Sequence, residues 1–176
     1  MTKVLKCTAL IIYLFSSIYQ SFASDLFEQA VAAFRENRPK EAQKLLLEVL
    51  NTEGPDASLY NYLGIAYCQT GDYEKSIDAF TAGIAVPFAN KALLFFNAGN
   101  AAFYLNDFRR AEQYYSSSLE EDTRYAAACL NRANARIKLD KKAEAHDDYV
   151  KYLELKPDSA QKENIEKMIQ ILAQAE

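Results

Sequence analysis

The sequence predicts an all-α protein in which about four helix-turn-helix units stack into an α-solenoid and a C-terminal helix closes the stack. Three observations support this fold class. A set of residues recurs at steps of 34 or 35 positions, and a fixed period of this length is typical of repeat arrays. Apolar residues within each period follow helical spacing. The 176 residues include only five glycines and four prolines, which is too few for a loop-rich β fold.

Composition and charge narrow the possible functions. Half of the residues are hydrophobic and a quarter are charged, which indicates a globular rather than a disordered chain. The formal net charge is -4, whereas nucleic-acid-binding domains normally carry a basic face. We therefore expect no nucleic-acid partner.

Residues 1–23 are predicted to be a secretory signal peptide. Lys3 and Lys6 precede an apolar run, and a pattern of small residues ends at Ala23, where cleavage is expected. Cleavage there predicts a secreted protein, in the first place a protein of a bacterial periplasm. The alternative is an uncleaved membrane anchor, because the charge-free stretch 7–24 is just long enough to span a thin bilayer. Membrane contact is expected only in that case.

Residues 24–159 divide into four units that share the same markers: 24–56, 57–91, 92–125 and 126–159. A small residue recurs at spacings of 34, 35 and 34: Ala42, Ser76, Ala111 and Ala145. A second small residue stands twelve positions earlier and a large one four positions later: Ala30 and Leu46, Gly64 and Phe80, Gly99 and Tyr115, Ala133 and Tyr149. Small residues let two helices approach closely, and the large residue fills the gap beside that contact. Turn-tolerant residues separate the two helices of each unit: Asn37, Gly71, Asn106 and Asp140.

These markers resemble the tetratricopeptide repeat, a helix-turn-helix unit of about 34 residues with small and aromatic residues at fixed places. The second unit matches well, through Tyr60, Leu63, Gly64, Tyr67, Gly71, Tyr73, Phe80 and Gly83. The first unit departs from the pattern, since Pro39 stands early in its second helix, which the first turn tolerates. The third unit has Ala102 where an aromatic residue is usual, and one extra residue precedes it near Pro87. The resemblance covers residues 23–159.

Residues 160–176 are predicted to form a C-terminal capping helix. Asp158 or Ser159 can cap its first turn. Its apolar residues form one stripe: Ile165, Met168, Ile169 and Leu172. A stacked array needs such a helix to cover its last apolar face.

The residues give no basis for catalysis, a cofactor, a metal or a small-molecule substrate. His146 is the single histidine, and we expect it to be solvated among acidic neighbours. The acidic run from Glu120 to Asp122 reads as a solvated face. Cys68 and Cys129 have a whole repeat between them, so we expect both to be reduced and packed, because disulfide-bonded Cα atoms lie within about 7 Å. We predict that the protein is not an enzyme.

The resemblance implies a concave groove, lined by the first helix of each unit, that holds a partner protein or extended peptide. The residues at the groove-facing places are Phe27, Val31, Asn61, Tyr62, Ile65, Phe96, Asn97, Asn100, Phe103, Tyr104, Asn131, Asn134 and Lys138. The asparagines recur in register although asparagine is a mediocre helix former. Their amides could pair with a peptide main chain, or they could instead stabilise neighbouring helices.

The leading interpretation is an interaction scaffold outside the cytoplasm. The alternative is a subunit of an envelope transport or outer-membrane assembly complex. Repeat proteins that grip the C-terminal carboxylates of heat-shock chaperones use lysine and arginine at places that here hold Leu93, Ala127 and Asn131. We therefore do not expect that class of partner. The sequence names neither the partner nor the oligomeric state.

Overall fold

The computed structural model describes residues 25–174. The predicted signal peptide lies outside the described residues. Nine helices run through this part of the chain, as the sequence predicts: α1 (25–35), α2 (Pro39–Glu53), α3 (Ala57–Thr70), α4 (Tyr73–Ile84), α5 (Lys91–Tyr104), α6 (Phe108–Glu121), α7 (Ala126–Lys138), α8 (Lys142–Leu155) and α9 (Lys162–Ala173). The first eight form four helix pairs and α9 follows them, so the predicted fold class is confirmed.

The turn inside each helix pair has the same geometry. The four residues predicted at these turns all have positive φ: Asn37 at 56°, Gly71 at 80°, Asn106 at 61° and Asp140 at 58°. The residue after each turn donates its main-chain N–H back into the preceding helix, with N···O distances between 2.8 and 3.0 Å. Glycine and asparagine tolerate this left-handed conformation. The sequence therefore places the four turns correctly.

The first helices of neighbouring units form a continuous inner layer. Within residues 25–174 each helix packs chiefly on its neighbours in sequence, but α3 also contacts α5, and α5 also contacts α7. The backbones of the second helices α4, α6 and α8 make no such contacts with one another. Because one layer is closer packed than the other, the array curves around the first helices.

Small and large residues meet inside each pair as the repeat predicts. The Cα of Gly64 lies against the ring of Phe80, and the Cα of Gly99 lies against the ring of Tyr115. Both rings are buried. Close approach also brings polar groups together, since the buried hydroxyl of Ser76 donates to the main-chain oxygen of Gly64 at 2.7 Å.

Helix α9 covers the apolar end of the fourth unit. Ile165 and Leu172 are buried in the cluster that includes Tyr149 and Tyr152, and the rest of the predicted stripe packs at its edge. The expected capping by Asp158 or Ser159 is wrong, because the chain makes a further turn and α9 begins at Lys162. Ser159 Oγ accepts from the main-chain N–H of Gln161 within that turn, at 3.1 Å.

The remaining sequence predictions concern single residues. Cys129 is buried, Cys68 is half-buried, and the two are not bonded to each other. Glu120, Glu121 and Asp122 are exposed, as predicted, whereas the His146 side chain is 31% exposed and thus partly buried rather than fully solvated. None of the helices within residues 25–174 has the length and apolar character needed to cross a bilayer.

Candidate functional site

The residues predicted to line the groove lie on the inner helices α1, α3, α5 and α7. None of the thirteen is fully buried, and Tyr104 and Lys138 are exposed. Tyr104 is the most accessible of the groove aromatics at 64%. Its ring stacks on that of Tyr73, with centroids 5.5 Å apart and planes 18° apart. The inner layer therefore offers a row of partly exposed amide and aromatic side chains.

Four of the asparagines connect neighbouring units. Asn97 donates its Nδ2 hydrogen to Asn61 Oδ1 at 2.9 Å, which joins α5 to α3. Asn131 donates in the same way to Asn100 Oδ1 at 2.8 Å, which joins α7 to α5. The structure thus supports the interpretation that these amides stabilise neighbouring helices. Each amide has more hydrogen-bonding atoms than this bond uses, so the same residues can also contact a ligand.

Two tyrosine hydroxyls fix the orientation of two of these amides. Tyr115 donates to Asn100 Oδ1 at 2.9 Å, and Tyr149 donates to Asn134 Oδ1 at 2.7 Å, one repeat further along the chain. Burial raises the pKa of both tyrosine hydroxyls, so they remain protonated donors. Asn100 Oδ1 thus accepts two hydrogen bonds and Asn134 Oδ1 accepts one, while their Nδ2 hydrogens have no hydrogen-bond partner within residues 25–174.

A pocket of about 190 Å³ opens at this place in the groove. It is lined by Asn100, Phe103, Tyr104, Tyr115, Asn131 and Asn134. Five of these six residues were predicted from the sequence, and Tyr115 was not. Tyr115 belongs to the second helix α6 and was identified only as a packing residue, although its hydroxyl reaches the groove.

The N-terminal part of the groove combines aromatic and charged side chains. Phe27, Val31 and Tyr62 line a recess of about 480 Å³ together with Glu28 and Arg35. The Tyr62 ring contacts the Phe27 and Phe34 rings edge to face, at centroid distances of 5.8 and 5.6 Å. This end of the groove therefore differs from the uncharged middle.

A smaller recess of about 260 Å³ continues the groove toward α5. Asn61 and Tyr62 line it from α3, and Leu93 lines it from α5. The recess therefore connects the N-terminal part of the groove with the row of amides.

Four predicted groove residues line none of these recesses, and one of them is Asn97, which bonds to Asn61. Phe96 packs between helices, with its ring 6.0 Å from that of Tyr115 and 5.1 Å from that of Tyr125. Ile65 packs against the cluster built around Phe80. Lys138 is the last residue of α7 and is exposed. The structure therefore assigns Phe96 and Ile65 chiefly to packing.

Charged residues are rare on the three inner helices that carry the asparagines. Helix α3 contains none, α5 contains Lys91 at its first position, and α7 contains Arg132, Arg136 and Lys138. The two lysines stand at helix ends. The two arginines reach the second helices, so the middle of the groove is uncharged.

Asp148 of α8 holds both arginines and is only 4% exposed. Arg132 donates from Nε and Nη2 to the two carboxylate oxygens of Asp148, at 2.9 and 2.7 Å. Arg136 donates from Nη1 at 2.8 Å. Burial by itself would lower the pKa of Arg132, but the hydrogen bonds and charge of Asp148 outweigh it and raise that pKa. The Arg132 guanidinium therefore stays charged beside Asp148.

Glu112 of α6 extends this network to the third unit. It accepts from Arg136 Nε at 2.9 Å and from Lys141 Nζ at 2.6 Å. Burial favours a raised pKa for Glu112, but these two cations outweigh it and lower the pKa. The network thus links α6, α7 and α8. It was not predicted from the sequence.

Comparison with known proteins is consistent with this architecture. A family model described as tetratricopeptide repeat matches residues 27–90 and 96–160. Human RNA polymerase II-associated protein 3 is 31% identical over 128 residues, which are 72% of this chain and 19% of that protein. The chain therefore spans less than a fifth of the length of this relative.

Solved structures share the same arrangement. The first repeat domain of Spaghetti (RPAP3), bound to the HSP90 peptide SRMEEVD, is 32% identical. Its TM-score is 0.61, and the match covers 67% of this chain and 94% of that one. MamA matches with a TM-score of 0.76 at 15% identity, over 86% of this chain and 81% of that one. The latter similarity shows the fold alone.

Proposed function

Because this chain belongs to the tetratricopeptide-repeat family, we propose that it is an interaction scaffold that holds an extended segment of a partner protein in its groove. The observation that carries the proposal is the row of asparagine amides on α3, α5 and α7, with exposed aromatic rings beside it. Amides can pair with a peptide main chain whatever its sequence. Aromatic rings supply apolar anchoring.

The relatives support a peptide-holding role. The Spaghetti domain was solved with a bound peptide, and it shares the helical arrangement of this chain over most of its length. Within residues 25–174 no three His, Cys, Asp or Glu side chains are grouped as a metal site would require.

Site-specific photocrosslinking tests the groove directly. A photoreactive phenylalanine analogue replaces Tyr104, which is 64% exposed in the groove, or Leu47, which is 47% exposed on α2. Both variants keep the full chain and should give the same helical circular dichroism. We expect the probe at position 104 to capture a defined partner in cells and the probe at position 47 to capture none.

The same experiment can contradict the proposal. Addition of Phe103→Ala to the chain with the probe at position 104 should reduce the crosslinked product, since Phe103 lines the same pocket. A partner that crosslinks equally from positions 104 and 47 would place binding outside the groove. If Phe103→Ala does not reduce the crosslinked product from position 104, the partner likewise does not bind in the groove.

We also propose that residues 1–23 direct export of the chain to a bacterial periplasm. The support is the order of basic, apolar and small residues that ends at Ala23. Expression of the full chain in a bacterium, followed by intact-mass measurement, tests this. A periplasmic product that begins at Ser24 is the expected result. A full-length product in the membrane fraction would favour the uncleaved anchor instead.

A further inference from the structure

We infer that the pocket between α5 and α7 selects an uncharged carboxamide side chain, asparagine or glutamine, from the partner segment. This inference rests on the proposed function, because it names the side chain that the groove recognises. The pocket is the one lined by Asn100, Phe103, Tyr104, Tyr115, Asn131 and Asn134.

The hydrogen-bonding pattern of the pocket supports this inference. Asn100 Oδ1 accepts from both Tyr115 and Asn131, and Asn134 Oδ1 accepts from Tyr149. The Nδ2 hydrogens of Asn100 and Asn134 are thereby left as donors for a ligand. Asn131 donates one Nδ2 hydrogen to Asn100, so its Oδ1 is left as an acceptor, as is the second lone pair of Asn134 Oδ1. The pocket thus presents amide donors and amide acceptors side by side.

Among neutral side chains, a carboxamide complements this set best. Its nitrogen carries two hydrogens and its oxygen two lone pairs, whereas a serine or threonine hydroxyl has a single hydrogen to donate. A carboxylate has no hydrogen for Asn131 Oδ1, and an aliphatic side chain leaves both amide donors without a partner. Leaving such groups unpaired is the usual basis of strong discrimination between similar ligands.

Among residues 25–174, no cation lines the pocket. Arg132 and Arg136 are held by Asp148, and Lys138 stands one turn beyond Asn134 at the exposed end of α7. The six lining residues themselves therefore offer no positive charge to balance a ligand carboxylate. Burying an unpaired carboxylate is costly.

The size and shape of the pocket also suit a carboxamide side chain. A cavity of about 190 Å³ has room for several waters at roughly 30 Å³ each. The four or five heavy atoms of a carboxamide side chain therefore fit, whereas a second helix does not. Phe103 and Tyr104 supply the apolar walls against which the methylene groups of asparagine or glutamine can pack.

A matched set of peptides tests the inference. The probe is a library of N-acetylated, C-amidated hexapeptides, varied one place at a time and presented to the folded chain. We expect one place to prefer glutamine or asparagine at least tenfold over glutamate, aspartate and leucine. Binding of the selected peptide should change less than twofold when salt is raised from about 0.05 to 0.5 M, because no ion pair is involved.

Asn134→Asp tests the role of the Asn134 amide donors directly. A carboxylate there still accepts from Tyr149, so the fold is preserved, but it removes the amide donors and adds a negative charge. The variant should lose the preference for glutamine at least tenfold and gain a preference for lysine or arginine at the same place. Lys142→Ala, at the exposed start of α8, makes the same change in net charge and is the matched control, which should behave as the original chain does.

The failure of this inference can be told apart from failure of the proposed function. If the selected peptides require Tyr104 and Phe103 but carry glutamate, aspartate or a free C-terminal carboxylate, the carboxamide pocket is wrong and the scaffold stands. The peptide SRMEEVD serves as the acidic probe for that outcome. If no peptide binds, or if Tyr104→Ala and Phe103→Ala leave binding unchanged, both proposals are overturned.

Discussion

The ring of Phe80 lies so close to the Cα of Gly64 that a β-carbon on Gly64 would stand 2.5 Å from Phe80 Cε1. Phe80 is 1% exposed, so its ring has little freedom to withdraw. We expect Gly64→Ala to lower the free energy of unfolding by about 2 kcal/mol, because overpacking a tight core forces neighbouring groups to shift. Urea titration followed by circular dichroism measures the difference.

The first unit supplies a control for that contact, since it combines Ala30 with Leu46 at the corresponding places. The double variant Gly64→Ala with Phe80→Leu copies this pair. Phe80→Leu alone should destabilise the protein, yet in the Gly64→Ala background it should cost little or restore stability. Additive losses in the two single variants would show that the ring and the β-carbon do not interfere.

Asp148 should be the most sensitive acidic residue of the chain. Asp148→Ala removes the carboxylate that pairs with Arg132 and Arg136 and leaves two half-buried cations without it. Removing one member of a buried ion pair costs about 3–5 kcal/mol. Asp147→Ala is the matched control, because the neighbouring Asp147 side chain is 83% exposed and surface changes cost less than about 0.5 kcal/mol. Equal melting temperatures of the two variants would refute the role of the network.

Glu112 should give part of the stability a pH dependence. Its pKa is lowered in the folded protein, so its contribution is present above the unfolded pKa and is lost as pH falls through the folded one. We expect Glu112→Gln to be less stable than the original chain near pH 7, and the two to converge only below the folded-state pKa of Glu112, which lies under the ordinary glutamate value of about 4.3.

The control for Glu112 is Glu154→Gln. Glu154 pairs with Lys151 at 2.9 Å but is 59% exposed, and such surface pairs contribute little. Urea titrations of the three proteins across the pH range would show the difference. A gap between the original chain and Glu112→Gln that is constant with pH would contradict the prediction.

The period of the sequence predicts the helix pairs and turns because both depend on residue size and backbone freedom at fixed spacing. It does not predict the ion network, since charged residues in a sequence are ordinarily expected to be exposed to solvent. A signal was present, however. Arg132 and Arg136 stand where the second unit has Leu63 and Tyr67, on the face that packs inward. A charge in the apolar phase of a helix points to a buried partner.

The sequence predicts the positions that face the groove but not which of their hydrogen-bonding atoms are free. The repeat predicts which places face inward, and the asparagines stand there. Which amide atom is free depends on Tyr115 and Tyr149, whose hydroxyls arrive from the second helices. That relation depends on side-chain direction between helices, so spacing along one helix does not reveal it.

The turn at Asn106 offers a test of backbone strain. Its φ is 61°, a conformation that asparagine and glycine accept and that alanine does not. Asn106→Ala should lower the unfolding free energy by about 1 kcal/mol, whereas Asn106→Gly should leave it nearly unchanged. Thermal melts of the two variants compare them directly. If alanine is tolerated as well as glycine, the left-handed turn is not needed there.

The ion network described above lies at one boundary of the array, and this has a consequence for the order in which the array comes apart. Glu112 joins the third unit to the fourth through Arg136 and Lys141. The first and second units are joined by weaker polar contacts, such as Gln43 to the main-chain oxygen of Ala66. Repeat arrays unfold by loss of contacts between neighbouring units. Under stretching or mild denaturant, the first unit should therefore unfold first, while the third and fourth units remain folded together.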